Sequence, residues 1–305
     1  MGHGDHHAAI TRRALLGLMA VATARPALGD PSSMLERPIP SSGEQVPVVG
    51  LGTWRVFDVG PSKAERDPLR DVLARFVSLG GRVIDSSPMY GAAESVVGDL
   101  AGDLGITDKL FLATKVWTSG REAGVAQMEQ SMRRLRARRL DLMQIHNLVD
   151  WRTHLATLRA WKETGRIRYL GVTHYTSSAY DELERVLRAE PLDFVQVNYS
   201  LGERETERRI LPVARERGIA VLVNRPFSEG GLFQRVRGQA LPAWAADFDC
   251  QSWAQFFLKW ILAHSAVTCV IPGTSRPEHA VDNMAAGRGR LPDAAMRDRL
   301  AALIY

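Results

Sequence analysis

Eight short runs of apolar and β-branched residues recur along this chain, separated by stretches with helical periodicity. Continuous apolar strands that alternate with helices are typical of a parallel sheet covered by helices. Eight such units in about 270 residues match the size of one (β/α)8 barrel. The strand-like runs are residues 48–54, 82–87, 110–116, 140–147, 167–174, 193–200, 219–226 and 268–275.

The helical stretches support the same architecture, since several are followed by glycine, which often ends helices (Gly80, Gly165 and Gly218). Two doubly wound domains are the alternative for 305 residues, but they would need a domain boundary. No Pro-, Gly- or Ser-rich linker interrupts the series. We therefore predict an α/β fold, a single (β/α)8 TIM barrel, over residues 34–305. The helical stretches are residues 67–79, 121–138, 152–164, 177–189 and 205–217.

Three further segments lie outside the repeating pattern. Residues 34–45 contain a Ser-Ser-Gly turn and predict an N-terminal β-hairpin that closes the N-terminal mouth of the barrel. Residues 292–304 predict an added C-terminal helix. The long connection over residues 228–249 comes after the seventh strand, and such loops lie at the C-terminal face, where barrel active sites are found. This connection is therefore a candidate lid.

Residues 1–31 have the layout of an export signal. Arg12 and Arg13 precede an apolar run of 11 residues at 14–24, which is shorter than the roughly 20 residues of a membrane-spanning helix. The paired arginines resemble a twin-arginine signal, which directs folded proteins across the membrane. We predict a periplasmic or secreted protein with no stable membrane span after signal removal. A disordered leader, or a cytoplasmic or membrane-anchored protein with an uncleaved leader, is the alternative.

The charge and cysteine content exclude several classes of protein. The 39 basic and 34 acidic residues leave a net charge of +5, too small to indicate a nucleic-acid partner. Cys250 and Cys269 would lie at opposite ends of one helix, so we expect no disulfide between them. No spacing of His, Cys or carboxylate residues indicates a metal site. The oligomeric state is not determined by the sequence.

Four chemically competent residues lie at or after the ends of successive predicted strands. Asp85 ends the second strand, Tyr90 lies five residues further on, Lys115 is near the end of the third strand and His146 near the end of the fourth. In a barrel these strand ends adjoin on one rim. A buried lysine and aspartate are costly unless they pair, so a purely structural ion pair would account for Lys115 and Asp85. Tyr90 and His146 at the same rim favour an active site.

These motifs resemble the aldo/keto reductase family over residues 34–305. The resemblance implies reduction of aldehydes or ketones to alcohols by hydride transfer from NADPH, with a small-molecule carbonyl compound as the substrate. Tyr90 would be the proton donor, Lys115 would lower the tyrosine pKa, Asp85 would hold the lysine, and His146 would orient the carbonyl. The matching segments are residues 50–54, 85–91, 113–115, 145–146, 171–173, 195–199 and 271–276.

The same resemblance implies that NADP(H) is gripped by the eighth strand and the helix after it. Arg276 and neighbouring hydroxyls would take the 2′-phosphate, while Asn283 and Asp282 would meet the adenine. Ser275 could instead be an ordinary helix N-cap. The residues of this grip are Gly273, Thr274, Ser275, Arg276, His279 and Asn283.

The pocket for the nicotinamide departs from the family pattern. Thr173 and His174 stand where the family commonly has Ser-Asn, and Asn224 and Arg225 stand where it has an aromatic residue that stacks on the nicotinamide. Gln196 is expected to hold the carboxamide. Arg225 offers a contact to the pyrophosphate instead of the missing stack.

The expected substrate pocket lies beside Trp54 and Trp117, which come after the first and third strands, although either tryptophan could be ordinary packing. The family's long C-terminal substrate loop is nearly absent, which predicts an open pocket. A cofactor-binding regulatory or sensing protein on the same fold, with little turnover, is the alternative function. An unrelated barrel isomerase or hydrolase has no motif in its support.

Overall fold

The computed structural model describes residues 33–304, together with residues 1, 2 and 4. The predicted export signal, including Arg12 and Arg13, lies outside the described residues and stays a prediction. In the part of the chain that is described, no helix is both long and apolar enough to cross a membrane.

An antiparallel hairpin precedes the barrel, in which β1 (Glu36–Pro38) pairs with β2 (Gln45–Pro47). The predicted hairpin is therefore present, and it ends two residues later than expected, at Pro47. Its buried residues Ile39 and Val46 belong to the core inside the barrel. They share this core with Phe111, Tyr169 and Phe194, which lie near the amino ends of three barrel strands. The hairpin therefore closes the N-terminal mouth of the barrel.

The eight predicted strands form one parallel sheet in chain order. The two strands at the ends of this order contain only two residues each, shorter than the sequence predicts. The remaining strands agree with the sequence within a few residues. The strands are β3 (Leu51–Gly52), β4 (Val83–Asp85), β5 (Phe111–Val116), β6 (Leu140–Ile145), β7 (Ile167–His174), β8 (Phe194–Asn198), β9 (Ala220–Asn224) and β10 (Cys269–Val270).

The barrel closes between β3 and β10. Parallel bridges join Val49 to Val270 and Gly52 to Gly273. A Cβ atom at Gly52 would lie 2.8 Å from the carbonyl oxygen of Ile271, so this approach of two backbones requires glycine. The fold is therefore the predicted (β/α)8 barrel.

Helices surround the barrel, and most begin and end near the predicted positions. The single helix predicted over residues 205–217 is two helices, because Pro212 has no N–H to donate to the carbonyl of Arg208. The helices are α1 (Lys63–Ser78), α2 (Ala93–Asp103), α3 (Arg121–Arg134), α4 (Trp151–Glu163), α5 (Tyr180–Ala189), α6 (Glu205–Arg208), α7 (Ile210–Arg217), α8 (Gly231–Arg235), α9 (Trp253–Leu262), α10 (Pro277–Ala285) and α11 (Ala294–Ile304).

The added C-terminal helix is confirmed as α11, which is attached to the barrel through Arg297. The Arg297 guanidinium donates to the Tyr199 hydroxyl at 2.6 Å and to Glu207 at 2.7 Å. Cys250 and Cys269 are both free and buried, as expected.

The connection after β9 differs from the predicted lid. It contains α8 and a 3-10 helix at Ala243–Phe248, whose Phe248 ring centroid lies 6.2 Å from that of Phe256 in α9. Most of the connection is therefore packed against a barrel helix. Only its beginning, around Glu229, Gly230 and Phe233, borders the cavity at the C-terminal end of the barrel.

Candidate functional site

A buried ion pair lies at the carboxyl ends of β4 and β5. Lys115 Nζ donates to Asp85 Oδ2 at 2.6 Å and to the carbonyl oxygen of Ser86 at 2.7 Å. The two side chains are 0% and 3% exposed. Opposite charges at this distance offset the free-energy cost of removing both from water. The structure thus brings together the pair that the strand positions predicted.

Two glutamines complete the surroundings of the Asp85 carboxylate. Gln144 Nε2 donates to Oδ1 at 3.0 Å, and Gln196 Nε2 donates to the same oxygen at 2.8 Å. Gln196, which was expected to hold the nicotinamide carboxamide, lines the cavity and donates from its Nε2 atom to Asp85. Gln144 was not predicted. The sequence could have indicated Gln144, because it is a polar residue inside an apolar strand. It comes two positions before His146, so both residues lie on the same face of the strand.

Tyr90 lies beside the ammonium group of Lys115. Lys115 Nζ is 5.0 Å from the centroid of the Tyr90 ring. Burial raises the pKa of the Tyr90 phenol above its ordinary value, and the nearby ammonium only partly opposes this effect. Lys115 therefore acts on the Tyr90 pKa in the expected direction, but burial, which the sequence did not reveal, has the larger effect. The phenol is a protonated donor at neutral pH.

The charge of Lys115 is secured by its neighbours. Burial acts to lower the pKa of Lys115, but Asp85 and then Tyr90 outweigh burial and raise it above its ordinary value. The amine therefore remains an ammonium group.

His146 faces Tyr90 from the carboxyl end of β6. The two ring centroids are 6.2 Å apart with an interplanar angle of 84°. Burial, reinforced by the positive charge of Lys115 and by His174, lowers the pKa of His146 to about 3. The imidazole is neutral at neutral pH and can donate one N–H. Its Nδ1 atom lies 3.4 Å from the Ser87 hydroxyl oxygen.

These groups border a cavity of about 650 Å³ at the C-terminal end of the barrel. Asp85, Tyr90 and His146 line it, together with the two tryptophans that the sequence placed beside the substrate. Trp54 and Trp117 are each 38% exposed, so their rings are open to the cavity.

The residues expected at the nicotinamide do not all lie in this cavity. Those that line it are Thr173, Gln196, Asn224, Arg225 and Gly273. His174 is not part of the lining. Its Nδ1 accepts the Thr176 N–H at 3.1 Å, and its ring stacks on Tyr175 with centroids 6.1 Å apart.

Two asparagine side chains at the cavity lack partners within the described part of the chain. The Oδ1 atoms of Asn147 and Asn224 are buried and accept no hydrogen bond from any described residue. Buried polar atoms in native proteins are nearly always paired, so these amides point to a polar ligand. The sequence did not single out Asn147, whose backbone is left-handed with φ 53°. The one feature of the sequence that could have indicated Asn147 as a site residue is its position directly after His146.

Arg225 extends across the mouth of the cavity. Its guanidinium carbon lies 4.8 Å from the ring centroid of Tyr175 and 5.6 Å from that of Trp54. Its Nη2 atom pairs with Glu229 at 3.1 Å. The backbone at Arg225 is left-handed with φ 48°, which is uncommon for a residue other than glycine.

The predicted cofactor grip after β10 lies near the start of α10. Thr274 is buried, and its hydroxyl accepts the Arg276 N–H at 3.1 Å. Arg276 is the N-cap residue, so Ser275 is not. The Arg276 side chain is 64% exposed and pairs with Glu278 at 2.7 Å. Ser275 and His279 are exposed, whereas Asn283 is buried.

Asp282, which the resemblance places beside the adenine, has hydrogen-bond partners at the start of α9, and its contact with adenine stays a prediction. The Asp282 carboxylate accepts hydrogen bonds from Ser252 at 2.8 and 2.9 Å and from Gln255 at 2.7 Å. Ser252 is the N-cap of α9, so Asp282 joins α10 to the start of α9.

Comparisons with known proteins agree with this geometry. A methylglyoxal reductase, YeaE of Escherichia coli, is 29% identical over 276 residues, covering 87% of this chain and 95% of that protein. A Klebsiella pneumoniae aldo/keto reductase in complex with NADP and acetate superposes with a TM-score of 0.71 at 27% identity, over 86% of this chain and 92% of that one.

A Klebsiella pneumoniae aldo-keto reductase in complex with NADPH superposes with a TM-score of 0.74 at 26% identity, over 88% of this chain and 95% of that one. The sequence profile of the aldo/keto reductase family matches residues 48–302. The chain therefore belongs to the aldo/keto reductase family of NAD(P)H-dependent oxidoreductases.

Proposed function

We propose that this protein reduces aldehyde or ketone carbonyls to alcohols by hydride transfer from NADPH, with Tyr90 as the proton donor. The observation that carries the proposal is the convergence of Tyr90, His146 and the Lys115–Asp85 ion pair at one cavity. Methylglyoxal, named in the Escherichia coli relative, is the first substrate to examine.

The cavity fits a nicotinamide cofactor. Within residues 33–304 the amide oxygens of Asn147 and Asn224 lack partners, and such acceptors suit the N–H groups of a carboxamide. The two similar Klebsiella proteins contain NADP and NADPH. Bound NADPH would supply the hydride.

Each residue of the site has a distinct proposed role at the carbonyl. As hydride arrives at the carbon, the oxygen gains negative charge and needs a proton. Tyr90 donates its phenolic proton to that oxygen, and Lys115 stabilises the phenolate that remains. Asp85 keeps Lys115 charged and oriented. The neutral His146 donates an N–H bond to the same carbonyl oxygen, while Trp54 and Trp117 contact the rest of the substrate.

The cofactor residues divide between the two ends of NADP(H). At the nicotinamide end we propose Thr173, Gln196, Asn224 and Arg225, which line the cavity, and not His174, which lies outside the lining. At the adenine end, Arg276 would exchange Glu278 for the 2′-phosphate, and the start of α10 would offer backbone donors. The residues proposed for this end are Gly273, Thr274, Ser275, Arg276, His279 and Asn283.

The decisive experiment measures binding and turnover in the same preparation. We expect quenching of tryptophan fluorescence by NADPH, and consumption of NADPH when methylglyoxal or another reactive aldehyde is added. NADPH binding without turnover on a broad carbonyl panel would favour the cofactor-sensing alternative. That alternative draws support from Arg225, a charged residue where the family has a stacking aromatic.

We also propose that residues 1–31 direct export of the folded protein to the periplasm or beyond. The support is the Arg12-Arg13 pair before an apolar run of 11 residues. A reporter fused to residues 1–33 should be exported, and the double change Arg12→Lys and Arg13→Lys should stop export. Export that continues unchanged in the double variant would contradict this proposal.

A further inference from the structure

Arg225 occupies an unusual place in the barrel mouth. It comes directly after β9, yet its guanidinium lies between Trp54, which is beyond the end of β3, and Tyr175, which is beyond the end of β7. β3 and β7 are four positions apart in the order of eight strands, so the two rings come from opposite sides of the barrel. The left-handed backbone at Arg225 costs free energy and persists only because its surroundings hold it.

The charge of Arg225 is only partly neutralised. Asp85 and Lys115 cancel each other beneath the cavity. Arg225 has Glu229 as its partner at 3.1 Å, but these side chains are 27% and 42% exposed, so water weakens their pairing. The remaining charged residue of the lining is Arg55, which stacks on Trp54 with its guanidinium carbon 4.1 Å from the ring centroid. The cavity mouth therefore carries an excess of positive charge.

The field of Arg225 reaches the place where the proposed reaction occurs. After burial and the charges of Lys115 and Asp85, Arg225 also acts on the Tyr90 phenol and lowers its pKa. Tyr90 must lie against the substrate carbonyl, and the nicotinamide carbon that gives the hydride must lie against the same carbonyl. A cation felt at Tyr90 is therefore felt at the nicotinamide.

We propose that Arg225 makes this protein bind the reduced cofactor, NADPH, in preference to the oxidised cofactor, NADP⁺. The inference rests on the proposed function, because it requires NADP(H) in this cavity. The oxidised nicotinamide ring carries a positive charge and the reduced ring carries none, so Arg225 repels only the oxidised form. An uncharged aromatic residue at this position would not discriminate by charge.

A contact of Arg225 with the pyrophosphate, as expected from the sequence, would have a different effect on the two affinities. Both forms of the cofactor carry the same phosphates, so a contact there strengthens both equally. A unit charge several ångströms away at an effective dielectric constant of about 20 is worth roughly tenfold in affinity or more. The ratio of the two dissociation constants therefore separates the two roles of Arg225.

The experiment titrates the full chain with NADPH and, separately, with NADP⁺, by monitoring tryptophan fluorescence and heat of binding without any substrate. In the wild-type protein we expect Kd for NADP⁺ to exceed Kd for NADPH by about tenfold. Arg225→Gln should bring the ratio close to one. Glu229→Gln should raise it above the wild-type value, because the carboxylate no longer offsets the guanidinium.

Arg299→Gln is the matched control, since it removes the same charge from α11 outside the cavity and should leave the ratio unchanged. Equal weakening of both forms in Arg225→Gln would overturn the inference in favour of a pyrophosphate contact. A Glu229→Gln ratio at or below the wild-type value would also overturn it. If the wild-type protein binds neither form, the proposed function itself is wrong.

Discussion

Lys115 Nζ lies 2.6 Å from Asp85 Oδ2, at the point where β4 and β5 end and where the two side chains are buried. This pair belongs to the fold as well as to the site. Removing the cation leaves a buried carboxylate whose only remaining donors, among the described residues, are the amides of Gln144 and Gln196.

Lys115→Met should lower the free energy of unfolding by about 3 to 5 kcal/mol, because it leaves the buried Asp85 carboxylate without its cation. Denaturant titration monitored by circular dichroism measures the loss. The double variant Lys115→Met with Asp85→Asn serves as control, and it should recover much of the stability but not the activity. Equal stability of Lys115→Met and the wild type would show that the pair is not buried as described.

The low pKa of His146 predicts how stability depends on pH. Its pKa is about 3 in the folded protein against 6.5 for an ordinary histidine, so the unfolded chain binds more protons below pH 6.5. The neutral form therefore favours folding above that pH, and this contribution is lost progressively as the pH falls from 6.5 towards 3. His146→Gln should reduce the loss of stability over this interval. A His146 resonance that titrates near pH 6.5 by NMR would contradict the assignment.

The contact between Ser87 and His146 predicts a tautomer. Ser87 Oγ accepts the Met89 N–H at 3.3 Å, which leaves the hydroxyl proton free for His146 Nδ1 at 3.4 Å. The ring proton then lies on Nε2. Ser87→Ala should increase the other tautomer in ¹⁵N NMR spectra and lower kcat by about tenfold or more, with unchanged NADPH affinity.

Ser86→Ala is the control for that measurement, since it removes a neighbouring buried hydroxyl that contacts Thr53 rather than His146. Its His146 spectrum should match the wild type. A wild-type spectrum with the proton on Nδ1 would refute the role of Ser87.

Barrel closure predicts a strong effect of one methyl group. Gly52→Ala places a Cβ atom 2.8 Å from the carbonyl oxygen of Ile271, and the strain should cost about 1 to 3 kcal/mol of stability. Gly102→Ala is the control, because Gly102 lies at an exposed position in α2. The nearest atom to a Cβ there belongs to the flexible side chain of Arg136. Thermal unfolding should separate the two variants, and equal midpoints would contradict the closure.

Strand order made part of the site predictable from the sequence. Parallel strands bring their carboxyl ends to one rim, so the shared location of Asp85, Lys115 and His146 could be predicted from their positions alone. The directions of individual polar side chains could not. Gln196 and Asp282 each have a partner from a distant segment, Asp85 and Ser252, that local pattern does not reveal.

The direction in which the pKa of Tyr90 is shifted also could not be predicted from the sequence. The neighbouring ammonium was foreseen, but the degree of burial depends on the packing of the whole rim and proves to be the larger effect. Similarly, the course of Arg225 across the mouth depends on a left-handed backbone that apolar periodicity does not encode.

The most direct measurement compares NADPH consumption by wild-type protein and by Tyr90→Phe with the same aldehyde, alongside the NADPH dissociation constant of each. Loss of the phenolic proton should lower kcat by about 100-fold or more while leaving cofactor binding and the folded state intact. A Tyr90→Phe protein that consumes NADPH at the wild-type rate would contradict proton donation by Tyr90 and with it the proposed mechanism.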